Sequence, residues 1–125
     1  MLYQNQIIKF NNLINFNPHQ VKLLMRTKRY IDNYYYEDIN LDLLSKNQGL
    51  SKYHLLRLFK SLYGTTPKQY LIYKRLQKSK ENLKQGMSVI EACYDVGFCS
   101  TTTFSSLFKK KVGLSPNEFK KAIFK

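Results

Sequence analysis

The sequence predicts an all-α chain of about seven helices, arranged as two equivalent lobes joined by a long central helix. Three observations carry that expectation. Strand signals are sparse while helix start and stop residues are dense. Apolar residues recur at helical spacing and not in alternation. One pattern of punctuation occurs twice, 49 residues apart.

Each element follows from local chemistry. Asn17-Pro18 reads as an N-cap with proline at the first helical position, opening a helix through HQVKLLMRTKRYIDN. Val21, Leu24, Met25, Tyr30 and Ile31 form its expected apolar stripe. Asn40 caps a short helix, LDLLSKNQ, stopped by Gly49, and Ser51 caps KYHLLRLFKSLY, stopped by Gly64. Thr66-Pro67 opens the long helix KQYLIYKRLQKSKENLKQ, ended by Gly86. Ser88-Val89-Ile90-Glu91 is a capping box for a helix that runs to Gly97. Ser100 caps TTTFSSLFKKKV, stopped by Gly113, and Ser115-Pro116 opens the last helix, NEFKKAIF. Residues 1–16 are an Asn-rich leader in which Ile7, Ile8, Phe10, Leu13 and Ile14 could form a further short helix. The expected organisation is therefore a leader and one domain over 17–125. That domain divides into lobe one (about 17–65), a linker helix (about 67–85) and lobe two (about 88–125).

The repeat sharpens this picture. LFKSLYGTTPKQY (58–70) and LFKKKVGLSPNEF (107–119) align as L-F-K-x3-G-x-T/S-P-x2-aromatic, and Leu55 and Phe104 extend the match upstream. Ser45 and Cys93 each precede a turn glycine, Gly49 or Gly97, by four residues, and the second copy carries one extra residue after its glycine. Two copies are too few for a solenoid. Each reads as helix, tight turn, helix: the helix-turn-helix arrangement. Two helices cross closely only over a small residue, so Ser45 and Cys93 are expected to be packed and inert. Cys99, in the turn, is also read as structural.

Charge points to the partner. Twenty-one Lys+Arg stand against eight Asp+Glu, a formal charge of +13, and residues 51–85 alone hold nine bases and one acid. Such a balance implies a polyanion, nucleic acid before an anionic membrane. A hydrophobic content of 43% excludes a wholly disordered basic tail. No apolar run approaches the roughly 18–20 residues of a membrane-spanning helix, and the N-terminus lacks the small-residue cleavage site of a signal peptide. Cys93 and Cys99 fit no metal spacing, which suits a reducing cytoplasm. His19 and His54 have no partner at zinc or catalytic spacing, and no phosphate loop, nucleophile elbow or carboxylate pair is present. The expectation is no enzyme, no metal and no cofactor. Most of the ten tyrosines and eight phenylalanines fall at helical core spacing and are read as core packing, not base stacking.

On the helix after Ser51, Leu55, Leu58, Phe59 and Leu62 share the core side, leaving Tyr53, Leu56, Arg57 and Lys60 opposite. A face of that kind can enter a major groove. There Arg reaches guanine bidentately, apolar side chains touch the thymine methyl, and Lys neutralises phosphate. In the second lobe Phe104, Leu107 and Phe108 are core, and Thr102, Ser105, Ser106 and Lys109 form the free face. Short hydroxyls suit phosphate or water-mediated contacts better than bidentate base readout.

These stretches, with the I-x2-A/C-x2-V-G-F … F-x3-F-K-x3-G-x-S-P pattern of the second copy, resemble the DNA-binding domain of the AraC/XylS family of bacterial transcription regulators over about residues 22–122. The resemblance implies two recognition helices, about 51–62 and 100–111, in successive major grooves of double-stranded DNA. Base contacts are then expected at Tyr53, Leu56 and Arg57 in the first, and at Thr101, Thr102, Thr103 and Ser106 in the second. Phosphate contacts are expected at Ser51, Lys52, Lys60, Lys109 and Lys110. Three departures stand out. The family's usual Ala at the helix crossing is Ser45 in one lobe and Cys93 in the other. Ser106 stands where Arg is common, which weakens base readout by lobe two. Many members also carry a large N-terminal sensor or dimerisation domain, and Met1 with its unusual leader favours a stand-alone member over a fragment.

The expected function is a cytoplasmic, sequence-specific DNA-binding regulator, monomeric on DNA, with RNA polymerase as a candidate second partner and no membrane partner. The alternative is a protein-interaction module that docks on RNA polymerase or another regulator through Leu56 and Tyr53 and binds DNA only weakly. A third class, binding by charge alone, would hold single strands and RNA equally well.

Overall fold

The computed structural model describes residues 16–124, and among the described residues it contains seven helices and no strand. They are α1 (Pro18–Tyr34), α2 (Leu41–Gln48), α3 (Lys52–Tyr63), α4 (Pro67–Lys84), α5 (Val89–Asp95), α6 (Thr101–Val112) and α7 (Pro116–Ile123). The short helix expected around Ile7–Ile14 lies outside the described residues.

Side-chain caps set the boundaries. Asn40, Ser51 and Ser100 accept hydrogen bonds from the backbone N–H of Leu43, His54 and Thr103 at 2.8, 3.1 and 3.3 Å. Ser88 with Glu91 and Ser115 with Glu118 form reciprocal capping boxes. Two more boxes, not anticipated from sequence, open α1 and α4: Asn17 with Gln20 and Thr66 with Gln69. Each cap satisfies N–H groups left over by the helix and is worth about 1 kcal/mol. Helix α5 stops at Asp95, short of the expected Gly97, because the Gly97 N–H turns back to the Tyr94 carbonyl at 3.1 Å.

The chain divides into two compact units. The first holds α1, α2, α3 and the start of α4 through Ile72. Helix α1 packs on α2 and α3, and α2 on α3. Leu24, Ile31, Leu55, Phe59 and Leu62 are buried there. The buried side of α1 is Leu23, Leu24, Thr27 and Ile31; of the expected stripe Leu24 and Ile31 are buried, Val21 and Tyr30 half-buried, and Met25 is 47% exposed. Hydrophobicity alone misplaced part of the stripe, because Thr27 can be buried once its hydroxyl donates to the Leu23 carbonyl at 2.9 Å. The Tyr70 hydroxyl donates to Asp32, which also pairs with Lys28 at 3.3 Å. Burial pushes the Tyr63 phenol up to about 12, the Asp32 charge adding to the shift and Arg29 opposing it.

The second unit holds Tyr35–Asp38, the rest of α4, and α5 to α7. Helix α6 packs on α5 and on α7. Its core is aromatic: Phe98, Phe104, Phe108 and Phe119 follow one another at ring-centre separations of 5.2, 5.6 and 5.4 Å. Arg75 clasps the Tyr35–Asp38 loop, donating from Nε to the Tyr35 carbonyl (2.7 Å) and from Nη2 to the Glu37 carbonyl (2.8 Å), with its guanidinium 5.6 Å from the Phe98 ring centre. Burial lowers its pKa, while Cys99 and Asp38 pull it back up. Gly97 sits under this clasp at φ 103°, where a Cβ would stand 3.0 Å from the Tyr36 carbonyl oxygen and 3.1 Å from Arg75.

The aromatic expectation holds in part. Phe59, Phe98, Phe104, Phe108, Tyr63 and Tyr70 are buried, whereas Tyr34, Tyr36, Tyr53, Tyr94 and Phe124 are exposed. A phenol in the core needs a partner for its hydroxyl, and Tyr70 has one in Asp32.

Candidate nucleic-acid interface

Helices α3 and α6 are built alike. Each has 12 residues, a serine N-cap and a left-handed glycine C-cap whose N–H reaches a lysine carbonyl, Lys60 or Lys109. The turns before them match as well. Gly49 and Leu50 donate to Lys46 and Ser45 at 3.3 and 3.0 Å; Gly97 and Phe98 donate to Tyr94 and Cys93 at 3.1 and 3.2 Å. The turn bonds correspond at an offset of 48 and the helices at 49. The inserted residue is therefore Cys99, lying between Phe98 and Ser100 where the first unit passes directly from Leu50 to Ser51. It is exposed. Ser45 and Cys93 are buried at the expected crossings, their side chains donating to the Asp42 carbonyl (2.9 Å) and, weakly, to the Ser100 carbonyl (3.7 Å). Burial pushes the Cys93 thiol up, with Cys99 adding to it, which keeps Cys93 in its inert protonated form.

The outer face of α3 gathers what the sequence singled out. Leu55, Phe59 and Leu62 are buried beneath it and Leu58 is half-buried. Tyr53 is 82% exposed, Arg57 and Lys60 are exposed, and Leu56 is half-buried. Tyr53, Leu56, Arg57 and Lys60 line one open hollow together with Ser61. Two expected phosphate ligands stand at its N-terminal end with other contacts: Ser51 caps the helix, and Lys52 pairs with Asp42 at 3.0 Å.

The outer face of α6 is hydroxylic and basic. Phe104 and Phe108 are buried, while Thr102, Thr103, Ser106, Lys109 and Lys110 are exposed. Thr101 is half-buried at the edge of the core side. Lys109 lies 3.4 Å from Glu118.

Lys111 extends the basic end of α6, as the run Lys109–Lys111 leads one to expect. Two groups of residues escaped the sequence reading. His54 and Ser61 correspond to Thr103 and Lys110 at the offset of 49, so the repeat itself held the signal. Arg26 and Arg29 on α1 meet Asn47 and Gln48 of α2 in a second open hollow, which no local motif announces. Among the described residues there is no group of three or more His, Cys, Asp or Glu able to hold a metal ion. No described helix is long and apolar enough to cross a membrane.

A helix-turn-helix domain model matches residues 44–122. The chain is 35% identical over 92 residues to an uncharacterized HTH-type transcriptional regulator in the cgkA 5′ region of Pseudoalteromonas carrageenovora; the match covers 74% of this chain but 55% of that protein, so the chain spans little more than half its length. It also resembles the structure of a transcriptional regulator of the AraC-type DNA-binding-domain class from Chromobacterium violaceum, with a TM-score of 0.74 at 26% identity over 86% of this chain and 96% of that one. The DNA-binding domain of AdpA, a global transcriptional factor solved with a target DNA, gives a TM-score of 0.76 at 26% identity over 79% of this chain and 90% of that one. These are regulators, not enzymes. With its duplicated turns and matched helices, the chain belongs to the AraC/XylS family of helix-turn-helix transcription regulators.

Proposed function

We propose that this chain is a sequence-specific, double-stranded-DNA-binding transcription regulator in which α3 and α6 act as recognition helices in successive major grooves. The carrying observation is the outer face of α3, where an exposed guanidinium, an exposed phenol and a half-buried leucine line one hollow directly after a helix-turn-helix turn. Arg57 can fork onto guanine O6 and N7, and Tyr53 and Leu56 offer apolar contact to neighbouring bases. Thr101, Thr102, Thr103 and Ser106 contribute from α6. Ser51, Lys52, Lys60, Lys109 and Lys110 hold phosphates and fix the register without reading sequence. Likeness to a domain solved on its target DNA supports the duplex as ligand.

The same reading includes one chain per DNA site, a cytoplasmic location and RNA polymerase as protein partner. Selection from random duplex DNA, with sequencing of the bound pool, tests its core. A defined motif is expected, bound with a log–log salt slope of about −5, the value for on the order of 6 phosphate contacts. A pool with no motif, or equal affinity for single strands and RNA, overturns it.

A further inference from the structure

The two recognition helices differ in one respect that charge does not describe. In α3 the residue beside Arg57 is Leu56, and with Tyr53 it gives the hollow on the outer face a mostly apolar lining. The corresponding residues of α6 are Ser105 and Thr102, both hydroxylic. An apolar side chain on the face that meets DNA has one good partner among the base edges of the major groove. That partner is the 5-methyl group of thymine, the one methyl on those edges; apart from small C–H groups, the rest are hydrogen-bond donors or acceptors. Leaving Leu56 against a donor or acceptor would strand that group without a partner.

Resting on the DNA-binding reading above, we propose that the half-site read by α3 contains a thymine whose 5-methyl group enters the hollow between Tyr53 and Leu56, making Leu56 a specificity-determining residue. The position of that thymine follows from the chain. Leu56 and Arg57 are consecutive, their Cα atoms 3.8 Å apart, and base pairs repeat every 3.4 Å. Their side chains leave the helix about 100° apart and Arg57 reaches further, so the thymine lies within about two base-pair steps of the guanine read by Arg57. Tyr53 acts here through its ring, so its hydroxyl is dispensable for this contact.

The test replaces thymines by deoxyuridine, one at a time, in the best duplex from the selection, with the full chain as protein. Uracil keeps every hydrogen-bonding group and removes only the methyl. One thymine near the guanine should show a loss of about fourfold, the value of one buried CH₂-sized group. In Leu56→Ala that loss should shrink towards onefold, while Tyr53→Phe keeps it. The folding of Leu56→Ala is checked by its helical circular-dichroism signal and a retained cooperative thermal transition. Equal affinity for all uracil-substituted duplexes, or an undiminished loss in folded Leu56→Ala, overturns the assignment and leaves the proposed function standing. Failure of any duplex to be enriched would instead overturn the proposed function, and this inference with it.

Discussion

The α2–α3 and α5–α6 pairs share turn bonds, and their outer helices share caps and length, yet they present different chemistry. Both place a small buried residue at the crossing and a serine at the head of the outer helix. One then exposes Tyr53 and Arg57, the other Thr102 and Ser106, at equivalent positions. The scaffold needs only the inward residues, which are apolar in both copies; the outward residues are free to diverge. Architecture is thus written on the inner side of each helix, and the specificity proposed above on the outer. The units differ in support as well. The first turn glycine, Gly49, has nothing within 4 Å of where a Cβ would sit, whereas Gly97 lies under the Arg75 clasp.

That last contrast gives the largest expected effect. Gly49→Ala and Gly97→Ala both force alanine into a left-handed conformation, at about 1–3 kcal/mol each. Gly97→Ala adds a collision with the Tyr36 carbonyl and the Arg75 guanidinium, and the carbonyl cannot move without opening the clasp. Urea denaturation followed by amide exchange should show the greater loss for Gly97→Ala, centred on α5 and α6. Equal losses would mean that the clasp is not rigid.

Next in size is the difference in base reading. Arg57→Ala should cost about 1–3 kcal/mol on the selected site and relax preference at one position. Ser106→Ala, its counterpart, should change affinity little, within about 0.5 kcal/mol. Competition binding against single-base variants measures both. Comparable losses would erase the distinction between the helices. Ser106→Glu asks a separate question: a carboxylate facing phosphates should weaken binding on all sequences, and no change would place α6 outside the groove.

Acid should separate the units further. Helices α1 and α4 open with neutral Gln20 and Gln69 in their boxes, α5 and α7 with Glu91 and Glu118. The Ser88 hydroxyl and backbone hold the Glu91 carboxyl below the usual carboxylate range; the Ser115 backbone, then its hydroxyl and Lys109, do the same for Glu118. A depressed folded pKa contributes stability above the unfolded value, about 4.3, and loses it as pH falls through the folded value. Amide protection in the first turns of α5 and α7 should therefore fall in acid while that of α1 and α4 holds. The double variant Glu91→Gln, Glu118→Gln should flatten the difference.

The smallest effect is Lys60→Ala, which should weaken all duplexes alike and reduce the salt slope by about 1. A change confined to the selected site would make Lys60 a base reader.

Much of this was legible because caps and glycine stops are local. Asn40, Ser51, Ser88, Ser100 and Ser115 all cap where the sequence placed them. The outer faces of α3 and α6 followed from helical period, since their buried leucines and phenylalanines leave no other rotation. What stayed hidden depends on distant partners. Arg75 meets carbonyls 38 and 40 residues away, which no spacing rule reveals. Thr27 is buried through a backbone bond, so a hydrophobic count gave its place to Met25. Cys99 could be identified as the inserted residue only once the two turns' hydrogen bonds were compared. The boxes of Gln20 and Gln69 were within reach, since glutamine serves where glutamate does.

The central claim is that one chain reads DNA unequally, through α3 more than α6. It is tested most directly by measuring affinity for every single-base variant of the selected site, with the stoichiometry of the complex by analytical ultracentrifugation. The account predicts a 1:1 complex on an asymmetric site, with large penalties clustered in one half-site and a shallow, shape-dependent profile in the other. Two chains on a palindrome, or equal penalties in both halves, would contradict it.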